Sequence, residues 1–259
     1  MGGNPLRGAA YLIRGLQLLN QPGLRRFVII PLLINSVLFS IAIYLLTQYF
    51  SGWVNFWLDW IPDWLNFIDW LLWPLFALLV MVSVYFTFGL LANFIAAPFN
   101  GLLAERVEQR LRGVVPPDEN WKALLATVPH SLNRELAKLA YYLPRLLLLL
   151  VLSFIPLIGP LLWFLFGAWM MAIQFCDYPM DNNKIRFGDM KQLLQQKRLS
   201  SLGFGALVSL AMLIPVLNLL VMPAAVIGAT LFWVEEYAGS QQADAFSRSA
   251  QPSQSPRLD

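Results

Sequence analysis

Two long stretches of the chain contain no charged side chain. The first covers residues 27–58 and the second covers residues 71–104. Each is longer than the roughly 20 apolar residues that cross the hydrocarbon core of a bilayer. The pattern therefore predicts two long transmembrane helices, at about 24–50 and 71–104, and the helical periodicity of the second continues to Leu111.

Two further apolar stretches are interrupted by proline. The first, at about 146–176, breaks at Pro156, and the second, at about 199–234, breaks around Pro215. The parts before the breaks are about 10 and about 14 residues long, too short for a helix that rises about 1.5 Å per residue to cross a bilayer. We expect two re-entrant helical hairpins, whose non-helical tips must be surrounded by protein or water. Single spans kinked at the prolines are the alternative.

The distribution of basic residues favours the hairpins over the kinked spans. If both stretches return, residues 177–198, with five Lys or Arg, share a side with residues 1–26 and 105–145, which carry four and seven. Such an excess is typical of the cytoplasmic side. The connector 51–70 has no Lys or Arg and is rich in Trp. We therefore expect it to form an aromatic belt at the outer interface.

Two amphipathic segments flank the apolar stretches. Asn4 followed by Pro5 predicts the cap and first residue of a short helix that ends near Asn20. Its mainly apolar face predicts a position in the membrane interface. Residues 118–145 are charged and amphipathic, which predicts cytoplasmic helices. They include His130, which we expect to be solvated, with a proton relay as the alternative.

The composition agrees with the membrane class. Hydrophobic residues make up 58% of the chain and charged residues 13%, whereas about 25% of a soluble domain is charged. Together these features predict an all-α membrane protein in which residues 1–237 form a single integral membrane domain. Residues 238–259, rich in Ser, Gln and Pro, are predicted to be a disordered tail.

Signatures of enzymes are missing from the sequence. It contains no nucleophile-elbow or zinc-protease motif, no complete glycine-rich phosphate loop and a single cysteine, Cys176. The formal net charge of +3 is small. We therefore expect no enzymatic activity, no cofactor or metal, and no nucleic-acid partner.

An anion site is predicted where the first long helix begins. Pro22 can open a helix, and Gly23 lets the backbone approach a ligand closely. The N–H groups at a helix start attract anions, and the guanidinium groups of Arg25 and Arg26 add forked, charged hydrogen bonds. The alternative is that the two arginines only fix the orientation of the first span.

Three features of the chain coincide in one known family. They are the Pro22–Arg26 segment, the Ala97–Glu105 segment and the two interrupted apolar stretches. In these features the chain resembles the CysZ family of bacterial inner-membrane sulfate transporters, and the similarity covers nearly all of residues 4–237.

The resemblance implies sulfate uptake across the bacterial inner membrane for assimilation into cysteine. It also implies two long transmembrane helices, two hemi-penetrating hairpins, contact with membrane lipids and a homo-oligomer. The implied sulfate-binding residues are Gly23, Leu24, Arg25 and Arg26. An alternative from another class is a scaffold that shapes the inner membrane without transporting anything.

The charge of sulfate raises the question of coupling. Moving a dianion inward against about 100 mV costs about 4.6 kcal/mol, so uptake needs proton coupling or a metabolic sink. Candidate pore or coupling residues lie at the charged end of the second long helix, namely Glu105, Arg106, Glu108 and Arg110. The alternative is that these residues form salt bridges on a solvated helix.

Overall fold

The computed structural model describes residues 2–21, 23–58, 69–114, 121–155 and 158–239, and every regular element in these ranges is helical. The helices are α1 (Pro5–Leu19), α2 (Arg26–Leu58), α3 (Asp69–Leu111), α4 (Trp121–Leu152), α5 (Ile158–Asn182), α6 (Phe187–Gln196), α7 (Arg198–Met212) and α8 (Pro215–Trp233). A π-helical turn, Val234–Ala238, follows α8. The prediction of an all-α chain is confirmed for these residues. The predicted tail lies almost wholly outside them.

The chain divides into two compact units. Residues Met1–Val28 and Pro98–Asp259 form one unit, and Ile29–Ala97 form the other. The second unit holds most of α2 and α3, which contain 33 and 43 residues, or about 50 Å and 65 Å of helix. The predicted span 71–104 falls inside α3, and the predicted span 24–50 falls inside α2 except for Leu24 and Arg25, which lie in the preceding turn. Both spans stay predictions. Half of the predicted aromatic belt, residues 59–68, lies outside the described residues.

Two helices of the first unit are long and apolar enough to cross a membrane. Among the described residues these are Ile158–Asn182 and Leu220–Ala238. Both were predicted as arms of hairpins, not as spans. The second is mostly buried, with Ala225, Ile227 and Phe232 fully enclosed. Its apolar composition therefore serves packing inside the protein as well as any contact with lipid.

The first interrupted stretch is an antiparallel pair of helices. Near the break, the Trp163 indole N–H donates to the Ser153 hydroxyl at 3.2 Å. Further from the break, the rings of Tyr142 and Phe166 stack with centroids 5.4 Å apart. The chain thus reverses between α4 and α5. Because α4 runs unbroken through Pro144, no break separates the predicted cytoplasmic segment at 118–145 from the hairpin.

The second interrupted stretch reverses in a tight turn. Leu213 and Ile214 join α7 to α8, and Pro215 is the first residue of α8. At the other end of the pair, the Lys197 ammonium forms an ion pair with the Glu236 carboxylate. Since the start of α7 and the end of α8 meet, these helices also form a hairpin. The positions of both hairpins in a bilayer stay predictions.

Helix α1 packs on the second hairpin through glycine. Its predicted cap is confirmed, because the Asn4 side chain accepts a hydrogen bond from the Leu6 N–H at 2.9 Å. A Cβ atom on Gly8 would lie 1.9 Å from the Ser200 carbonyl oxygen, so only glycine permits this approach. One face of α1 is therefore core. The opposite face still exposes Leu6 and Ile13, and its interfacial position stays a prediction.

Ion pairs close the contact between α1 and the end of α8. Arg7 Nε lies 2.7 Å from Glu236 Oε1, and Arg14 makes two bonds, of 2.9 Å and 2.6 Å, to the Glu235 carboxylate. The Tyr11 hydroxyl donates to Glu236 at 3.0 Å. The N-terminal helix is thus fixed to both the start of α7 and the end of α8.

A glycine-to-alanine pair tests this close packing. A Cβ on Gly205 would lie 1.8 Å from the Ala168 carbonyl oxygen, whereas a Cβ on Gly167 would meet no atom within 4 Å. We expect Gly205→Ala to destabilise the protein by about 1–3 kcal/mol. Gly167→Ala should stabilise it by up to about 1 kcal/mol, because alanine favours the helix. Thermal unfolding in one detergent would measure both, and a Gly205→Ala protein that melts no lower than Gly167→Ala would contradict the packing.

Candidate anion site and the charged end of α3

A turn at Gln21–Leu24 precedes the predicted anion-binding helix start. The Leu24 N–H donates to the Gln21 carbonyl oxygen at 3.3 Å, and the Leu24 side chain is buried. Gly23 has a φ of +91°, and a Cβ there would meet no atom within 4 Å. Glycine is thus required by backbone conformation and not by space. Pro22 lies outside the described residues.

Arg25 lies over the C-terminal end of α1. Its Nε donates to the Asn20 carbonyl oxygen at 3.2 Å, and its Nη2 donates to Asn20 Oδ1 at 2.7 Å. Asn20 is the C-cap of α1. Within the described part of the chain, Arg25 forms no ion pair with a carboxylate, and its side chain is exposed. Its charge is therefore available to an anion from solution.

Arg26 is the first residue of α2 and is exposed. The first N–H groups of an α-helix have no acceptor within the helix. The partial positive charge of the helix start therefore adds to the two guanidinium groups. By contrast, the Leu24 N–H, predicted as an anion donor, is already used in the turn.

The structure brings one residue of the predicted coupling set to this turn. Arg110 Nη1 donates to Gln21 Oε1 at 3.0 Å. Gln21 also accepts the hydrogen bond that closes the turn around Gly23. The end of α3 is thus hydrogen-bonded to the segment that carries Arg25.

Glu108 lies on another face of the same helix end and is buried. Its Oε1 lies 2.7 Å from Arg112 Nη2 and accepts from the Trp233 indole at 3.3 Å. Its Oε2 accepts from Asn183 Nδ2 at 2.8 Å. Glu108 thus forms the salt bridge that the alternative interpretation expected, but in a buried position and with further partners from α8 and from the residue that follows α5.

The remaining predicted coupling residues differ in exposure. Glu105 is exposed and accepts from Gln109 Nε2 at 2.9 Å, whereas Arg106 is half-buried. Glu105 and Glu108 line a cavity of about 350 Å³, which also contacts Arg112, Asn182 and Asn183. The end of α3 therefore contacts a polar cavity through its glutamates and the Gln21 turn through Arg110.

A buried charge cluster between α4 and α5 was not predicted. Lys138 Nζ lies 2.6 Å from Glu135 Oε1 and 3.3 Å from Asp177 Oδ2, and Arg134 Nε lies 2.9 Å from Asp177 Oδ1. Lys138 is only 4% exposed. Burial acts to lower the pKa of Lys138, but the neighbouring acidic groups, Tyr178, Asp177 and Glu135, outweigh it and hold the pKa above its usual value.

His130 stands at the outer end of this cluster. Its side chain is 66% exposed, as predicted, but its Nε2 lies 3.1 Å from both oxygens of Asp181. The sequence signal for the cluster was the pair of acids four residues apart, Asp177 and Asp181, at the end of an apolar helix. Such acids need basic partners when they are buried.

The described part of the chain is all-helical and contains two helices that are long and apolar enough to cross a membrane, as in a helical membrane protein. The chain belongs to the family described as sulfate transporter CysZ/etoposide-induced protein 2.4, whose sequence profile matches residues 11–223. It is 52% identical over 235 residues to a Pseudomonas aeruginosa PAO1 protein named sulfate transporter CysZ, covering 89% of this chain and 96% of the relative. A protein of the same name from Pseudomonas syringae pv. tomato is 54% identical over 235 residues, covering 89% and 93%.

Proposed function

We propose that the chain transports sulfate across the bacterial inner membrane and so supplies cysteine synthesis. The observation that carries this proposal is the set of relatives named sulfate transporter CysZ, which are more than half identical to the chain over 89% of its length. Transport, and not enzymatic activity, is what these names describe. The non-transporting scaffold is not favoured by them.

Sulfate binds at the start of α2, through Gly23, Leu24, Arg25 and Arg26. The exposed guanidinium of Arg25 supports this assignment, because neutral oxygens of Asn20 are its hydrogen-bond partners in the described structure. An arriving sulfate replaces them with a charge-assisted, forked interaction. The φ of Gly23 shapes the turn that presents the two arginines. Leu24 contributes through its buried side chain, which anchors the turn.

The path beyond this site runs along the end of α3. Arg110 supports this assignment through its hydrogen bond to Gln21 in the turn. Arg106 and Glu105 belong to the same path, with the exposed Glu105 as the candidate proton carrier. Glu108 holds the helix end in place, because Arg112, Asn183 and Trp233 occupy both of its oxygens.

The two hairpins insert part-way into the bilayer from the cytoplasmic side. Their tips support this topology, because Phe154 is 88% exposed and Leu213 is 75% exposed. Large exposed apolar surfaces mark contacts with lipid or another protein. The long helices α2 and α3 span the membrane, which makes the protein multi-pass. Their outward-facing apolar side chains, such as Val37 and Leu79, contact lipids or other copies in a homo-oligomer.

Flux into liposomes tests the function directly. We expect liposomes that contain only the purified protein to take up radiolabelled sulfate faster than empty liposomes. The measurement should be made with and without an imposed pH gradient, since the cost of moving a dianion against a membrane potential favours coupling. Uptake equal to that of empty liposomes under both conditions would contradict transport and favour the scaffold.

Substitutions in the turn test the binding site. Charge-assisted hydrogen bonds contribute about 1.5–3 kcal/mol each, so Arg25→Ala and Arg26→Ala should each weaken sulfate binding about ten-fold to a hundred-fold. Arg25→Lys should restore only part of the affinity, because an ammonium cannot form the fork. Gly23→Val should also weaken binding, because valine is strained at a φ of +91°. Isothermal titration calorimetry in detergent would measure the dissociation constants.

The control must remove equal charge without breaking a fixed contact. Arg14 is unsuitable because it makes two bonds to Glu235. Arg198, exposed at the start of α7, is a better choice. If Arg198→Ala weakens sulfate binding as much as Arg25→Ala, general electrostatics and not a defined site would explain the effect.

Cysteine labelling tests the re-entrant topology. In a Cys176→Ser background, Asn133→Cys and Asp189→Cys should react with a membrane-impermeant reagent from the same side, because both positions are exposed and their segments contact each other through Arg134 and Asp177. Phe154→Cys and Leu213→Cys should be protected from both sides by lipid. Labelling of the first two positions from opposite sides, or ready labelling of the tips, would contradict the hairpin topology.

A further inference from the structure

Two cations share one aromatic ring at the base of the first hairpin. The Arg145 guanidinium carbon lies 3.6 Å from the centroid of the Tyr141 ring, and Lys191 Nζ lies 4.6 Å from the same centroid. Arg145 Nη1 also donates to the Tyr141 carbonyl oxygen at 2.7 Å. Cation–π contacts of this kind favour these positions for both charges.

The ring itself is held by further aromatic contacts. The Trp169 indole N–H lies 3.4 Å from the Tyr141 hydroxyl, and Phe187 meets Tyr141 edge to face at 5.9 Å. Lys191 also lies 4.9 Å from the centroid of the Phe187 ring. Helices α4, α5 and α6 thus each contribute a side chain to one aromatic cluster, so the two cations are positioned by the fold.

Among the described residues, the two positive charges have no acidic partner. In the part of the chain that the structure describes, neither Arg145 nor Lys191 forms an ion pair, whereas Arg134 and Lys138 on the same helix both do. Because both cations lie on one centroid, at 3.6 Å and 4.6 Å, they are at most about 8 Å apart. Two like charges at this distance repel each other. A tetrahedral oxyanion that contacts both charges would remove the repulsion.

The position of Arg145 along α4 indicates which oxyanion binds the two cations. Arg145 is the last charged residue before the tip, and Phe154 at the tip follows nine residues later, which is a distance of about 14 Å at the rise of a helix. Half of a hydrocarbon core is about 15 Å. When the tip reaches the middle of the bilayer, Arg145 therefore lies at the depth of the phospholipid phosphates. Leu147, Leu148 and Val151, all exposed between these two residues, then contact the acyl chains.

We propose that Arg145, Lys191 and Tyr141 form a binding site for the phosphate of an anionic phospholipid. The proposal rests on the insertion of the first hairpin described above, and not on the sulfate site. The lipid phosphate contacts both cations, and its acyl chains lie along the apolar face of α4 beyond Arg145. Dissolved sulfate or phosphate has the same tetrahedral oxygens but no acyl chains to fill this face, which is why lipid is the occupant.

Native mass spectrometry of the full-length protein in detergent tests the site. The probes are phosphatidylglycerol and, as the zwitterionic comparison, phosphatidylcholine, each titrated in the absence of sulfate. We expect tighter binding of phosphatidylglycerol. The double variant Arg145→Ala/Lys191→Ala should weaken it at least about ten-fold, since charge-assisted contacts to phosphate are lost. If the double variant does not fold, the single variant Arg145→Gln provides the test, because it removes the charge but keeps a polar side chain on an unbranched apolar stem. It should weaken phosphatidylglycerol binding about ten-fold.

Two comparisons separate a defined site from general attraction. Arg198→Ala removes an exposed charge at the base of the other hairpin and should leave phosphatidylglycerol binding within about two-fold of wild type, as expected for a charge outside the site. Tyr141→Phe keeps the ring and should retain binding, whereas Tyr141→Leu should weaken it.

Three results would overturn the proposal. The first is equal affinity for the two lipids, and the second is a loss of affinity in Arg198→Ala as large as in the double variant. The third is displacement of phosphatidylglycerol by an excess of sodium sulfate, which would assign the site to a dissolved anion. The lipid titration contains no sulfate and measures no transport. A negative result would therefore reject the lipid site without rejecting the sulfate site, and loss of sulfate binding or transport would not reject the lipid site.

Discussion

The arrangement around the candidate anion site depends on the contacts of one buried carboxylate, that of Glu108. It joins α3 to Trp233 of α8 and to Asn183 after α5, and it neutralises Arg112. A buried carboxylate is tolerated only when such partners satisfy it, and removing one partner of a buried pair costs about 3–5 kcal/mol. Once this face of α3 is fixed, its other face can hold Arg110 against the Gln21 turn. The position of the predicted anion site thus depends on a residue that does not belong to it.

Both hairpins follow the same distribution of charge. Ionic side chains are confined to the base, as Lys138 with Asp177 in the first hairpin and Lys197 with Glu236 in the second. The tips, in contrast, expose Phe154 and Leu213. Ion pairs at the base hold the two arms together. In the topology proposed above, the base faces water and the tips face lipid, where unpaired backbone groups would be costly. The proposed direction of insertion follows from this polarity.

The sequence predicted the elements whose signals are local. Neighbouring residues were enough to predict the cap at Asn4, the reversal before Pro215 and the end of α3 at Leu111. Apolar periodicity could not separate contact with lipid from contact with protein, because both select the same side chains. The buried arm at Leu220–Ala238 therefore gave the same signal as a span. The charge cluster of α4 was missed because its partners, such as Glu135 and Tyr178, lie 43 positions apart.

The arginines near the N-terminus show why charge in a sequence does not identify a site. Arg14 and Arg25 both lie in a segment without any acid, so the sequence gives no reason to assign them different roles. In the fold, Arg14 is neutralised by two bonds to Glu235, more than 200 residues later in the chain. Arg25 instead contacts neutral oxygens of Asn20, five residues before it. An anion must compete with a carboxylate at the first arginine, but only with weaker neutral acceptors at the second. Availability of charge, and not its presence, therefore distinguishes the candidate site from the ion pairs that hold α1 in place.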